Sequence, residues 1–172
     1  MSARRFTRAA VAATAVAAIC AGTLALGQQS SQAADADDTI TGRMAQEKDL
    51  DFGRSGPSVG DGFVFSENLT DEDKEKVGRL AASCDIANVK RNSNGKVKDA
   101  LMQCIGTFKL TDGQITVQGA MWWSDEKSEL AITGGTGSYD GASGHVNLDF
   151  VNDNRTDYDF DFDNTGGGGI VP

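Results

Sequence analysis

Residues 128–150 hold the pattern that most restricts what this chain can become. Leu130 and Ile132 alternate with Ala131 and Thr133, and Val146, Leu148 and Phe150 alternate with His145, Asn147 and Asp149. A period of two buries one face of a strand and leaves the other wet. Between the two strands lie Gly134, Gly135, Gly137, Gly141 and Gly144, positions without a Cβ where the backbone can turn tightly or let another segment pass close. A phosphate-cradling loop is the functional competitor for such a cluster. The spacing is not G-x-G-x-x-G, however, no Lys-Ser or Lys-Thr follows, and the next segment has the period of a strand rather than a helix. These residues read as a glycine-rich connection inside an antiparallel sheet.

The same period recurs along the chain. Residues 39–48 form a first strand carrying Ile40 and Met44, and residues 61–67 a second carrying Phe63 and Phe65. Residues 70–76 are a charge run, with an N-cap candidate in Asn68 or Thr70, read as a solvated connection with at most a turn or two of helix. Residues 77–89 and 98–110 form a hairpin with Leu80, Ala82, Cys84 and Ile86 on one face and Met102, Cys104 and Phe108 on the other strand's matching face. Residues 114–122 follow the turn at Thr111-Asp-Gly113, and in residues 156–163 Tyr158, Phe160 and Phe162 alternate strictly with aspartates. About eight short strands, no helical period and no internal repeat predict an all-β fold, a closed eight-stranded antiparallel β-barrel over residues 39–163. Closure removes the exposed edges an open sheet would leave.

Residues 1–33 have the character of a secretory leader. Arg4, Arg5 and Arg8 precede an apolar run over residues 9–26, and Ser31-Gln-Ala33 offers the small residues of a cleavage site. A retained anchor and lipidation at Cys20, behind the bulky Ile19, are the weaker readings, and the arginine pair leaves the export route open. Residues 34–38 read as a frayed lead-in and residues 164–172 as a loose glycine-rich tail. The predicted location is extracellular or in the cell envelope. Loss of the leader removes three arginines and no acids, so the formal net charge of −9 becomes more negative still. Such a surface repels nucleic acid and anionic membrane.

With Cys20 in the leader, Cys84 and Cys104 remain as a pair in an oxidising compartment. Asn92-Ser-Asn-Gly-Lys96 is a turn by composition, and the two cysteines are equidistant from Asn94. If the hairpin is centred there they face each other directly, close enough for a disulfide.

Most catalytic devices lack their parts. His145 is the only histidine, and its parity puts it on the outer face, which removes a Ser-His-Asp set and most zinc sites. The aspartates at 157, 159, 161 and 163 alternate on a strand and lack the glycine and terminal glutamate of an EF-hand. No metal and no cofactor is expected. An eight-stranded barrel can hold side chains or one small ligand. If a pocket exists, its walls come from Phe63, Phe65, Leu80, Met102, Phe108, Trp122, Tyr158 and Phe160.

The run Leu130-Ala-Ile-Thr-Gly-Gly-Thr-Gly-Ser-Tyr139, followed by Gly141-Ala and Gly144, resembles the signature shared by allene oxide cyclases and plant dirigent proteins. Gly60-Asp61, Phe65, Val77-Gly78, Cys84 and Val117-Gln-Gly119 fall in the same order as in the cyclases, so the resemblance spans residues 58–150. It implies a calycin-like barrel, commonly a homotrimer, with an apolar cavity. It also implies a glutamate on the first strand and an asparagine on a later one, steering a reactive epoxide. Glu47, with Asp49 and Pro57 beyond it, follows that order, and the asparagine is Asn68, or Glu67 if the register slips by one. Dirigent proteins carry aspartates, a tyrosine and an arginine inside the barrel, for which Tyr139 and Arg79 are the nearest positions. The expected function is a cofactor-free isomerase or cyclase, or a guide, of one small lipophilic reactive molecule. The alternatives are a non-catalytic binding barrel for such a molecule and an envelope protein whose barrel is packed solid.

Overall fold

The computed structural model describes residues 39–53 and 56–163; the leader, the lead-in and the tail of the sequence analysis lie outside them. Eight strands run in chain order: β1 Thr39–Leu50, β2 Gly62–Thr70, β3 Lys76–Arg91, β4 Val97–Leu110, β5 Gly113–Trp122, β6 Lys127–Gly137, β7 Gly144–Asn152 and β8 Arg155–Phe162. Each pairs antiparallel with its neighbours in sequence, and β1 pairs with β8 to close the barrel. No helix occurs among the described residues. The charge run makes a hairpin turn instead of a helical one: the Asp71 carboxylate accepts the N–H of Glu75 at 2.8 Å, and Lys74 takes a φ of 67°.

Alternation sets the core as period two requires. Leu80, Phe108 and Ile115 are buried inside the barrel, and their register places Glu67, Leu80, Phe108, Ile115 and Gly135 opposite one another in one inward row. His145 faces outward, beside Glu129 and Asp161 at 3.8 and 3.6 Å.

In an up-and-down barrel successive connections alternate between the two ends, so the β2–β3, β4–β5 and β6–β7 turns share one end. That end is closed by the glycine stretch. Strand β6 runs on through Gly134, Gly135 and Gly137, further than the sequence suggested, and the connection then folds Tyr139 back into the barrel, where it is 2% exposed. Gly135 permits this, because a Cβ there would collide with the Tyr139 carbonyl oxygen.

Cys84 and Cys104 oppose each other on β3 and β4 and form the disulfide. Two irregularities nearer the turn, at Ile86/Asn88 and Lys90/Arg91, offset each other, which is why simple spacing from Asn94 found the pair. With the two cysteines 20 positions apart along the chain, removing the bond as Cys84→Ser/Cys104→Ser is expected to lower stability by about 3 kcal/mol through the freer unfolded chain. Chemical denaturation of both proteins under non-reducing conditions checks this.

Candidate active site

The barrel is not packed solid. A cavity of about 400 Å³ occupies the end away from Tyr139, within the range of small-molecule sites. Its rim carries residues of the β5–β6 and β7–β8 connections, including Trp123, Asp125, Glu126 and Asp153, and its walls include Phe63, Phe65, Met102, Trp122 and Phe150. Phe63 and Phe65 stack with ring centres 5.8 Å apart. The Cys84–Cys104 bridge also lines it, so the cysteine inside this barrel is not a free thiol.

Deep in the cavity a carboxylate stands on an otherwise apolar face. Glu67 follows Phe63 and Phe65 and precedes Leu69 at inward parity on β2, and it is 2% exposed. The Tyr158 hydroxyl donates to its Oε2 at 2.8 Å, and no ion pair reaches it among the described residues. Burial pushes the Glu67 carboxyl above its usual range, against the opposing effect of the tyrosine hydrogen bond. Burial, the neighbouring Glu67 charge and the hydrogen bond to it push Tyr158 well above the ordinary phenol value, opposed by the Thr156 hydroxyl. The phenol therefore remains a donor, and Glu67 is the member of the pair placed to take or give a proton.

Gly42 makes room for this pair. It sits on β1 opposite Leu69 and Thr156, and a Cβ there would collide with Glu67 Oε2 and approach the Tyr158 ring to 2.7 Å. Gly42→Ala is expected to lower stability by about 1–3 kcal/mol through overpacking. Thermal melting compared with the parent protein tests it.

The site residues expected from sequence fall into two groups. Phe63, Phe65, Glu67, Leu80, Met102, Phe108, Trp122 and Tyr158 all line the cavity. Phe160 does not: it is buried inside the barrel with its ring edge-on to Phe108 at 4.9 Å, nearer the closed end than Tyr158. Glu47 is exposed and does not line the cavity. It pairs with Phe65 on β2, but in the part of β1 beyond Arg43, the last β1 residue to pair with β8, so β8 does not cover it. Asn68 faces outward between Arg43 and Arg79, one residue out of phase with Glu67. Arg79 is exposed on that outer face, and Tyr139 closes the opposite end. Thr156 was missed. It is 7% exposed and lines the cavity, and the signal was its inward parity with Tyr158 and Phe160.

The fold is similar to that of a solved pyocyanin demethylase, with 28% identity and a TM-score of 0.59, covering 70% of this chain and 95% of that one. It is also similar to AbnU, an exo-specific intermolecular Diels-Alderase (19% identity, TM-score 0.52, 69% of this chain and 91% of that one). A pterocarpan synthase dirigent protein gives 16% identity and a TM-score of 0.55 over 71% of this chain and 89% of that one. At such identities the last two share the fold alone. No curated protein matches the chain in sequence. The match to the family described as the allene oxide cyclase barrel like domain runs over residues 39–162, nearly the whole barrel, and the chain belongs to that family.

Proposed function

We propose that this barrel confines one small lipophilic, reactive molecule and isomerises or cyclises it without a cofactor, with Glu67 as the proton-handling group and Tyr158 as its hydrogen-bonding partner. The observation that carries the reading is a buried carboxyl, bonded by the Tyr158 hydroxyl but with no ion pair among the described residues, on the apolar wall of a 400 Å³ cavity. A barrel that only bound an uncharged lipophile would not need it, because burying an acid without an ion pair costs stability. Support also comes from the similar barrels, named for a demethylation, a Diels–Alder reaction and a pterocarpan synthesis, all reactions of small organic molecules.

Confinement brings the reacting ends of a flexible molecule together, an entropic contribution that needs no further protein group. Glu67, with burial favouring its neutral form, can give a proton to a developing anion or take one from an acidic carbon, returning it later in the cycle so that no net proton is consumed. We place this activity outside the cytoplasm, a location supported by the leader-like residues 1–33 and the disulfide.

The test is native mass spectrometry and turnover on a panel of lipophilic polyenes and enolisable aromatic ketones, with Glu67→Gln as the comparison. One molecule bound per barrel in both proteins, with turnover only in the parent, is expected. Equal turnover in both would remove Glu67 from the chemistry, and binding without turnover in either would leave a carrier.

A further inference from the structure

Apart from the Tyr158 phenol, the ionisable acid and base side chains that line the cavity are all carboxyl groups. Carboxylates of Glu67, Asp125, Glu126 and Asp153 line it, and among the described residues no lysine, arginine or histidine does. Asp125 is fixed at the rim, where its Oδ2 accepts the Trp122 N–H at 2.8 Å. Two cations outside the lining are engaged with other acids: Lys127 lies 2.6 Å from Asp149, and Arg155 grips Asp157 with two hydrogen bonds of 3.0 and 2.8 Å. Lys90 pairs with Asp99 at 3.5 Å, and its ammonium also stands 3.1 Å from the centre of the Trp122 ring. A ring of this wall thus already carries a cation on one face, as aromatic quadrupoles favour.

A ligand carboxylate entering this space would pass acids at the rim and leave water for an apolar interior whose lining holds no cation to neutralise it. A positive charge would itself favour the ionised form of Glu67 at depth, and would meet aromatic faces along the walls and acids at the rim. We propose that this cavity, read as the substrate site above, selects small aromatic molecules that carry a positive charge and turns away those that carry a carboxylate.

Three tricyclic probes of one shape test this: N-methylacridinium, 9-(hydroxymethyl)anthracene and anthracene-9-carboxylate, measured by equilibrium dialysis at about 0.15 M and about 0.5 M salt. The cation is expected to bind at least about tenfold more tightly than the neutral probe, and the anion at least about tenfold more weakly. Most of the cation's advantage should survive the higher salt and vanish in Glu67→Gln. Neutral and cationic probes binding alike would overturn charge selection while leaving the cavity as a binding site, and no saturable binding of any probe would overturn both. A cation preference that persists in Glu67→Gln but disappears in the higher salt would be surface attraction alone, and would also overturn the proposal. If Glu67→Gln does not fold, as judged by circular dichroism, the rim variant Glu126→Gln/Asp153→Asn carries the test. It is expected to cut the preference about threefold, and an unchanged preference refutes charge selection.

Discussion

Glutamine at position 67 is expected to lower turnover by about 10²- to 10⁴-fold, the usual contribution of a positioned acid or base, while the barrel stays folded. The substitution keeps volume and shape, and the amide oxygen can still accept the Tyr158 hydroxyl that now lies 2.8 Å from Oε2. What it removes is the titrating group, so its effects on activity and on stability separate by sign. Burial raises the Glu67 carboxyl, so the folded protein holds that proton more tightly than the unfolded chain does. The stability this contributes is complete below the ordinary glutamate value and is lost as pH rises through the folded value. Glutamine has no such slope, so the melting temperature of Glu67→Gln minus that of the parent should grow with pH across that window. Melts from pH 4 to pH 8 measure it, and parallel curves would mean that the carboxyl does not titrate in a buried setting. If the carboxylate acts as the base, turnover of the parent should rise over the same window.

Much of the fold could be read directly because period two is local. Tyr158, Phe160 and Phe162 against the aspartates of β8 need no knowledge of distant contacts, and the pairing of Cys84 with Cys104 needed only a turn between them. The site was half legible for the same reason. Phe63, Phe65 and Glu67 share parity, and the signal that Glu67 points inward was strengthened by Leu69, which lies beyond the point where the sequence reading ended the strand. Glu47 could not be placed this way. Its exposure depends on where β1 leaves β8, after Arg43, and on the irregularity between Met44 and Gln46, both set by closure of the whole barrel rather than by neighbouring residues. A motif carried over by order alone selects a residue type on a strand. It does not fix register, and on a strand one position decides between cavity and solvent.

The second large effect belongs to the closed end. Tyr139→Ala is expected to lower stability by about 3–5 kcal/mol, the range for truncating a fully buried aromatic residue. The ring is 2% exposed, and the chain around it is held on several sides: the Ser138 N–H donates to Asp112 O at 2.9 Å, the Tyr139 N–H to Thr136 O at 3.2 Å, and the Ala142 N–H to Tyr139 O at 3.0 Å. Strands β5 and β6 do not collapse easily into the space left behind. Gly135 supplies no side chain on that face, and a Cβ at Gly113 would lie 3.0 Å from Tyr139 Cδ2, so the ring takes the place that two side chains would otherwise fill. Tyr139→Phe keeps the ring and should lose only about 1 kcal/mol, the worth of a hydrogen bond. Both variants leave the cavity lining untouched, because Tyr139 does not line it. Urea denaturation of the two variants should therefore separate them by about 2 kcal/mol or more, while probe affinity per folded molecule stays within about twofold of the parent. A large loss of affinity in Tyr139→Ala, with stability unchanged, would mean that the glycine-rich turn serves the ligand and not the closure of the barrel.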